Sequence, residues 1–244
     1  MNTKYIDLIN QTFDFPQEEF VLEKDHLQFH GVDLNKLVET YGTPLKFTYL
    51  PKISDNIKKS KVWFDNAIKK HHYKGNYNYC YCTKSSHFKH VLNEALKNDI
   101  HIETSSAFDI DIIETLKAEG KINDNTFVIS NGFKRAQYIS NIARLINNGH
   151  KNCIPIIDNY EEIDLLSNEI HGNYNIGIRI AAEEEPKFEF YTSRLGIGYK
   201  NIVPFYNKQI KENPKLQLKM LHFFINTGIR DNAYYWNELL KCLK

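Results

Sequence analysis

The stretch Tyr79-Cys80-Tyr81-Cys82-Thr83-Lys84-Ser85-Ser86 decides how this chain is read. Alternating Tyr and Cys suit a strand with apolar surroundings on both faces. From His87 to Asn98 the spacing turns helical, with Phe88, Val91, Leu92, Ala95 and Leu96 on one face. Lys84 therefore stands at the C-terminal mouth of a buried strand. Folds of the α/β class gather their chemistry there, because loops after strand ends converge over a rigid base. Two readings follow: a lysine that snorkels out of a strand end, or an amine placed to bond a carbonyl carbon.

Upstream, residues Asp14 to Leu37 mix Phe, Asp and Gly without a firm period and read as part of an N-terminal arm, 1–40, ahead of a main domain, 41–244. Gly42-Thr43-Pro44 forces a turn, and Leu45 to Tyr49 alternates as a strand should. Ser54 is the expected N-cap of a helix running through Trp63, Phe64, Ala67 and Ile68. Downstream, short strands alternate with helical stripes. The strands are Ile100–Glu103, Phe127–Ile129, Cys153–Ile157, Ile176–Ile180 and Leu218–Ile225. The stripes run through Phe108, Ile112, Ile113 and Leu116, through Ala136 to Ile146, and through Ile163, Leu166 and Ile170, with further helices expected over Val203–Ile210 and Ala233–Leu243.

That alternation implies βαβ units and a parallel sheet with right-handed crossovers. About six such strands start from Tyr79, where a closed (β/α) barrel takes about eight. Residues 181–190, with Glu183-Glu184-Glu185-Pro186, read as a solvated loop.

Composition narrows the function. The chain has 244 residues, is 42% hydrophobic and carries a net charge of +1, which allows a large core and leaves no basic footprint for nucleic acid. No apolar run approaches a membrane span, and residues 1–11 lack the pattern of an export signal, so the cytoplasm is the expected compartment. The cysteines Cys80, Cys82, Cys153 and Cys242 lack paired metal-ligand spacing. They read as reduced packing residues, Cys80 and Cys82 diverging rather than chelating one ion, and no metal is expected.

Taken together, these motifs resemble the pyridoxal-phosphate decarboxylases with an alanine-racemase-like barrel, which include diaminopimelate, ornithine and biosynthetic arginine decarboxylases. The resemblance runs from Tyr41-Gly42-Thr43-Pro44-Leu45 to Asp231. Tyr81-Cys82-Thr83-Lys84-Ser85-Ser86 takes the place of Y-A-V-K-A-N, whose lysine bonds the cofactor aldehyde. Glu103-Thr104-Ser105-Ser106 is similar to the acidic-plus-small motif of the next strand, with Asp109 at its later acidic position. Asn131-Gly132-Phe133-Lys134 resembles the N-G-Y-K run of the arginine-specific branch. Gly177-Ile178-Arg179-Ile180-Ala181 resembles the arginine-bearing strand, Ser193-Arg194-Leu195-Gly196-Ile197 the S-K-F-G run, and Leu221 to Gly228 the L-H-F-H-hydrophobic-G-S-Q run.

The resemblance implies a (β/α)8 TIM-type barrel of α/β class, lacking its last strands and its C-terminal β-domain. It implies the cofactor pyridoxal 5′-phosphate, with Lys84 as the catalytic residue. Cys82, Glu103, Asp109, Arg179, Phe224 and Thr227 are implied on the cofactor side. Desolvation in the barrel mouth would keep the Lys84 amine neutral. Arg179 also reads as a structural ion-pair member, and Glu103 and Asp109 as helix-start charges. The implied reaction is α-decarboxylation of a basic amino acid, arginine to agmatine for polyamine synthesis, in a homodimer. Departures accompany it. Phe224 replaces a ring-stacking histidine, Asn226 replaces a glycine, and no glycine-rich phosphate loop follows Leu243. This chain by itself is therefore expected to be inactive, and the alternatives are a non-catalytic pyridoxal-phosphate-binding or degenerate barrel, or a decarboxylase of diaminopimelate or ornithine.

Overall fold

The structure is a computed structural model that describes residues 19–181 and 195–224, together with residues 233, 236, 239 and 240. The chain divides into two compact units, Met1–Tyr49 and Leu50–Lys244. In the first, strands β1 (Phe20–Glu23), β2 (His26–Phe29) and β3 (Val32–Asp33) form an antiparallel sheet and lead into helix α1 (Leu34–Tyr41). The arm without a period is thus a small sheet. Its first turn, Lys24-Asp25, takes φ of 47° and 65°, the backbone that two-residue hairpin turns favour, although neither residue is glycine. Asp33 caps α1, accepting from the backbone N–H of Asn35 at 2.9 Å and of Lys36 at 3.3 Å. Leu45–Tyr49 is not a strand, a correction to the alternating pattern. It has no ladder partner among the described residues, and Phe47 and Tyr49 instead set their rings edge-on to Phe29, at 5.3 and 5.5 Å.

The second unit begins with α2 (Pro51–Lys70), which starts on proline at its first turn rather than at Ser54. Ser54 lies one turn inside and is buried; its hydroxyl donates to Glu94 Oε1 at 2.5 Å and accepts from Asn98 Nδ2 at 2.8 Å. There follow β4 (Cys80–Cys82), α3 (Lys89–Leu96), β5 (His101–Thr104), α4 (Ala107–Ala118), β6 (Val128–Ser130), α5 (Ala136–Asn147) and β7 (Cys153–Ile157). Next come α6 (Glu162–Glu169), β8 (Tyr174–Ala181), the short β9 (Ile197–Gly198), α7 (Tyr199–Phe205), a π-helical turn over Tyr206–Ile210, and β10 (Leu216–Phe223). Phe88 and Phe108 fall outside the core stripes assigned to them and are exposed; α4 buries Ile110, Ile113 and Leu116 instead. Of the loop expected over 181–190, Ala181 instead ends β8 and the rest lies outside the described residues, as does most of the helix expected over 233–243.

The sheet runs β4-β5-β6-β7-β8-β10, every pair parallel, with β9 added at the end of β8. A doubly wound sheet reverses its strand order at a switch point. This one never reverses, so right-handed crossovers put its helices on one side and the sheet curls as a barrel wall.

Strand parity and register sort the side chains. Ile102, Val128, Cys153, Ile157, Ile176 and Ile178 face outward and share one core with the helices, among them Leu92, Ile113, Ile142 and Leu166. The opposite face carries Ile129, Ile154 and Ile156, against which Cys80 of the first barrel strand and Met220 of the last both pack. Strands at the two ends of the sheet thus meet one interior plug, as a curled wall requires. Gly177 makes room for that plug: a Cβ there would run into Ile156 Cδ1 and come within 3.3 Å of Met220 Cβ. Cys80 and Cys82, two residues apart, share the inner face because strand side chains alternate with period two, which overturns the expected divergence. Among the described residues no group of three or more His, Cys, Asp or Glu could hold a metal, and no helix is long and apolar enough to cross a membrane.

Candidate active site

The inner face changes character at the C-terminal ends of the strands. On four strands a polar residue stands two beyond the last apolar or small inward position: Asn131 after Ile129, Asp158 after Ile156, Arg179 after Gly177, His222 after Met220. With Cys82 and Glu103, which are register partners on β4 and β5, these groups form a polar tier above the apolar plug.

Lys84 lies in the turn just past β4. The turn is held by its neighbours rather than by the lysine. Buried Thr83 donates from its amide and its hydroxyl to the Glu103 carbonyl, at 3.0 and 3.1 Å, and the Ser85 hydroxyl donates to the Cys82 carbonyl at 2.8 Å. Lys84 itself is exposed. The enclosure expected to desolvate its amine is not provided by the described residues.

Across the rim, Asn131 Nδ2 donates to Glu103 Oε1 at 2.9 Å and lies 3.4 Å from His222 Nε2. Asn131 follows β6 and His222 lies on β10, strands separated by β7 and β8, so this contact crosses the barrel interior. Cys82 Sγ is 4.0 Å from Glu103 Oε1, and burial together with that carboxylate pushes its thiol upward; Cys80, deeper, is pushed up to about 11. Both thiols therefore stay protonated and unreactive at neutral pH. Burial, with Arg179 and Lys134 adding to it, pushes His222 down to about 4, so its ring is neutral.

A second cluster shares Asp158 with this tier. The Lys134 amine donates to Glu162 Oε2 at 3.0 Å, to the Gly132 carbonyl at 3.0 Å and to the Ile156 carbonyl, and sits 3.9 Å from Asp158 Oδ2. Asp158 Oδ1 is in turn 3.8 Å from Arg179 Nε. Burial pushes the Asp158 carboxyl upward against the pull of Lys134. Neither Asp158 oxygen nor Arg179 Nε makes a hydrogen bond among the described residues, and the same holds for Asn131 Oδ1 and His222 Nδ1. The rim thus presents buried, unsatisfied donors and acceptors of both kinds, the signature of a place built to receive a polar ligand.

Of the residues implied by the resemblance, Cys82, Glu103 and Arg179 share this rim. Phe224 stands beside it, half exposed, with the Arg179 guanidinium 5.6 Å from its ring centre. Asp109 belongs elsewhere: its carboxylate accepts from the Ser105 amide at 2.8 Å and hydroxyl at 3.3 Å and fastens the start of α4, the helix-start reading. Thr227 lies outside the described residues. The structure adds Asn131, Lys134, Asp158, Glu162 and His222 to the residues expected at the site. The signal for the inward ones is the polar residue ending each inward-facing apolar series.

No family model matches the chain. It is 28% identical over 230 residues to the biosynthetic arginine decarboxylase of Prochlorococcus marinus strain MIT 9312, an alignment covering 86% of this chain and 34% of that enzyme. Diaminopimelate decarboxylase from M. jannaschii, solved with L-lysine, matches with a TM-score of 0.75 at 16% identity, covering 93% of this chain and 52% of that one. A mutant of the lysine decarboxylase of Selenomonas ruminantium, solved with PLP, matches with a TM-score of 0.66 at 16% identity, over 92% of this chain and 51% of that one. The chain thus spans about a third of the curated relative's length and about half of the solved ones. Its fold is the alanine-racemase-like barrel of the pyridoxal-phosphate decarboxylases, and its sequence is similar to the biosynthetic arginine decarboxylases.

Proposed function

We propose that this chain holds pyridoxal 5′-phosphate on Lys84 and supplies the barrel side of an amino-acid decarboxylase site, with arginine as the substrate and agmatine, a polyamine precursor, as the product. The observation that carries the reading is the polar tier of unsatisfied groups above the apolar plug, with Lys84 at the end of the first barrel strand.

The residues fit the aldehyde and ring of that cofactor. Lys84 offers an amine that makes no demand on the turn carrying it. Arg179 and His222 offer unsatisfied N–H groups, and Glu103 a carboxylate, at the rim where a polar aromatic ring would be received. When bound, the cofactor supplies an electrophilic carbonyl and a ring that accepts electrons as carbon dioxide departs. Lys84 would hold the cofactor through its amine and, once the substrate amine had taken its place, would be free to deliver a proton to the substrate Cα. Arg179 would supply positive charge to the bound cofactor, and Phe224 would offer it a face without a hydrogen-bonding group. The substrate is a small basic amino acid, and the working assembly a homodimer in the cytoplasm.

A second reading, a pyridoxal-phosphate binder without turnover, is favoured by the exposure of Lys84 and by Phe224 in place of a histidine. One experiment separates them. Pyridoxal phosphate titrated into the protein is expected to give visible absorbance that is absent in Lys84→Ala, and borohydride fixation should mark the peptide containing residue 84. The bound protein, alone and with the C-terminal domain of a biosynthetic arginine decarboxylase supplied, is then assayed for carbon dioxide release from arginine, ornithine, lysine and diaminopimelate. Absence of absorbance in the wild type sinks both readings, whereas absorbance without carbon dioxide leaves only the binder.

A further inference from the structure

We infer that Asn131 is a positioning residue that holds His222 as the neutral imidazole with its proton on Nδ1, so that His222 presents an N–H donor at the rim to an anionic oxygen of the bound ligand. The ligand half of this inference rests on the cofactor reading above; the tautomer half does not.

The argument is one of donors and acceptors. Asn131 Nδ2 lies 2.9 Å from a Glu103 carboxylate oxygen, which can only accept, so the amide is fixed with its nitrogen toward Glu103. The flipped amide would set oxygen against oxygen. The same nitrogen lies 3.4 Å from His222 Nε2, and an amide NH2 can only donate, so Nε2 is the accepting, unprotonated nitrogen of the ring. The ring proton is therefore on Nδ1. The nearby cations Arg179 and Lys134, together with burial, disfavour the doubly protonated form. Nδ1 is buried and makes no hydrogen bond among the described residues. A buried donor without a partner is costly to leave so, and an acceptor brought in by a ligand relieves that cost. His222 is the register partner of Arg179, whose Nε is likewise unsatisfied, so two donors stand side by side on β10 and β8. Two oxygens have the required chemistry: the ring phenolate of pyridoxal phosphate and the carboxylate of an amino-acid substrate.

Long-range proton–nitrogen correlation spectra of the histidine rings in the ligand-free protein test the first half. The wild-type His222 ring should show Nε2 unprotonated and Nδ1 protonated at neutral pH. In Asn131→Ala the proton should move predominantly to Nε2, the ordinary preference of an imidazole. A wild-type ring protonated on Nε2, or exchanging between tautomers, overturns the inference, and so does a folded Asn131→Ala that keeps Nδ1–H. Should that variant not fold, the wild-type spectrum still decides.

Pyridoxal phosphate and then arginine are added next. A shift of the Nδ1 resonance on the first addition assigns the oxygen to the cofactor, and one only on the second assigns it to the substrate carboxylate. No shift on either overturns the donor role. If visible absorbance appears without a shift, only that role falls; if absorbance is missing as well, the cofactor reading falls with it. His222→Phe is expected to weaken pyridoxal-phosphate binding about tenfold where the cofactor oxygen is the acceptor, with partial recovery in His222→Gln, which keeps an N–H.

Discussion

Replacing Lys134 by methionine takes the amine out of a buried cluster. The side chains of Lys134, Asp158 and Glu162 are 0%, 1% and 1% exposed. Methionine keeps the length and much of the bulk of the stem, so packing is a small part of the effect. What disappears is the bond to Glu162 at 3.0 Å, the bonds to the Gly132 and Ile156 carbonyls, and the positive charge 3.9 Å from Asp158. Glu162 retains the amides of Lys134 and Asp158 and the Asn159 side chain as donors, so it is not stripped bare. Breaking one partner from a buried pair costs about 3–5 kcal/mol, and the upper part of that range is expected here because two carboxylates lose the same cation. Urea unfolding followed by circular dichroism reads the loss directly. A cycle with Glu162→Gln should return a coupling of about 1–3 kcal/mol. A loss below about 1 kcal/mol, the size of an exposed pair, would refute the reasoning.

Three further outcomes are expected. The pKa of His222 is pushed down to about 4 from the ordinary 6.5, so between those values the unfolded chain takes up a proton that the folded chain refuses. Its contribution is thus fully present above pH 6.5 and falls by about 3 kcal/mol toward pH 4. Urea midpoints of wild type and His222→Gln across that range check this, and parallel curves would count against it; Arg179 and Lys134 supply the repelling charges, and Glu103 and Asp158 are the nearby carboxylates. Gly196 has φ +102°, and a Cβ there would sit 2.8 Å from the Ala181 nitrogen and 3.1 Å from Arg179 Cγ. Gly196→Ala should therefore cost about 2 kcal/mol by thermal melting and weaken pyridoxal-phosphate binding by displacing Arg179; an unchanged titration removes that link. Lys84→Ala, at an exposed position, should alter stability by no more than about 0.5 kcal/mol, so that its loss of cofactor absorbance reports chemistry rather than unfolding, and a large drop in melting temperature would contradict the described turn.

The barrel was legible because its strands are apolar on both faces and its helices striped. Cys153–Ile157 stands where the sequence puts it, and the count of parallel strands from Tyr79 agrees with the sheet. What failed was local. Leu45–Tyr49 has the alternation of a strand, but alternation does not supply a partner. The hairpin at Lys24-Asp25 uses positive φ at two residues of which only Asp25 is a turn former, and no glycine marks it. At the site, the lysine announces itself as a charge at the end of a buried run, whereas Asn131 and His222 acquire meaning only when curling brings strands β6 and β10 face to face. Lys134 and Glu162 are 28 residues apart and look like ordinary surface charges in the sequence; only the buried pairing marks them.

The unreversed strand order has a consequence for how such a wall is assembled. Each stave leans on the one made just before it, so the span of chain to be closed at every step is a single strand–helix unit. Short spans close quickly, and contacts of this kind favour rapid growth from one end. A chain emerging from the ribosome can lay down this wall stave by stave, and the polar tier gains its contact between Asn131 and His222 only when β10 swings in across from β6.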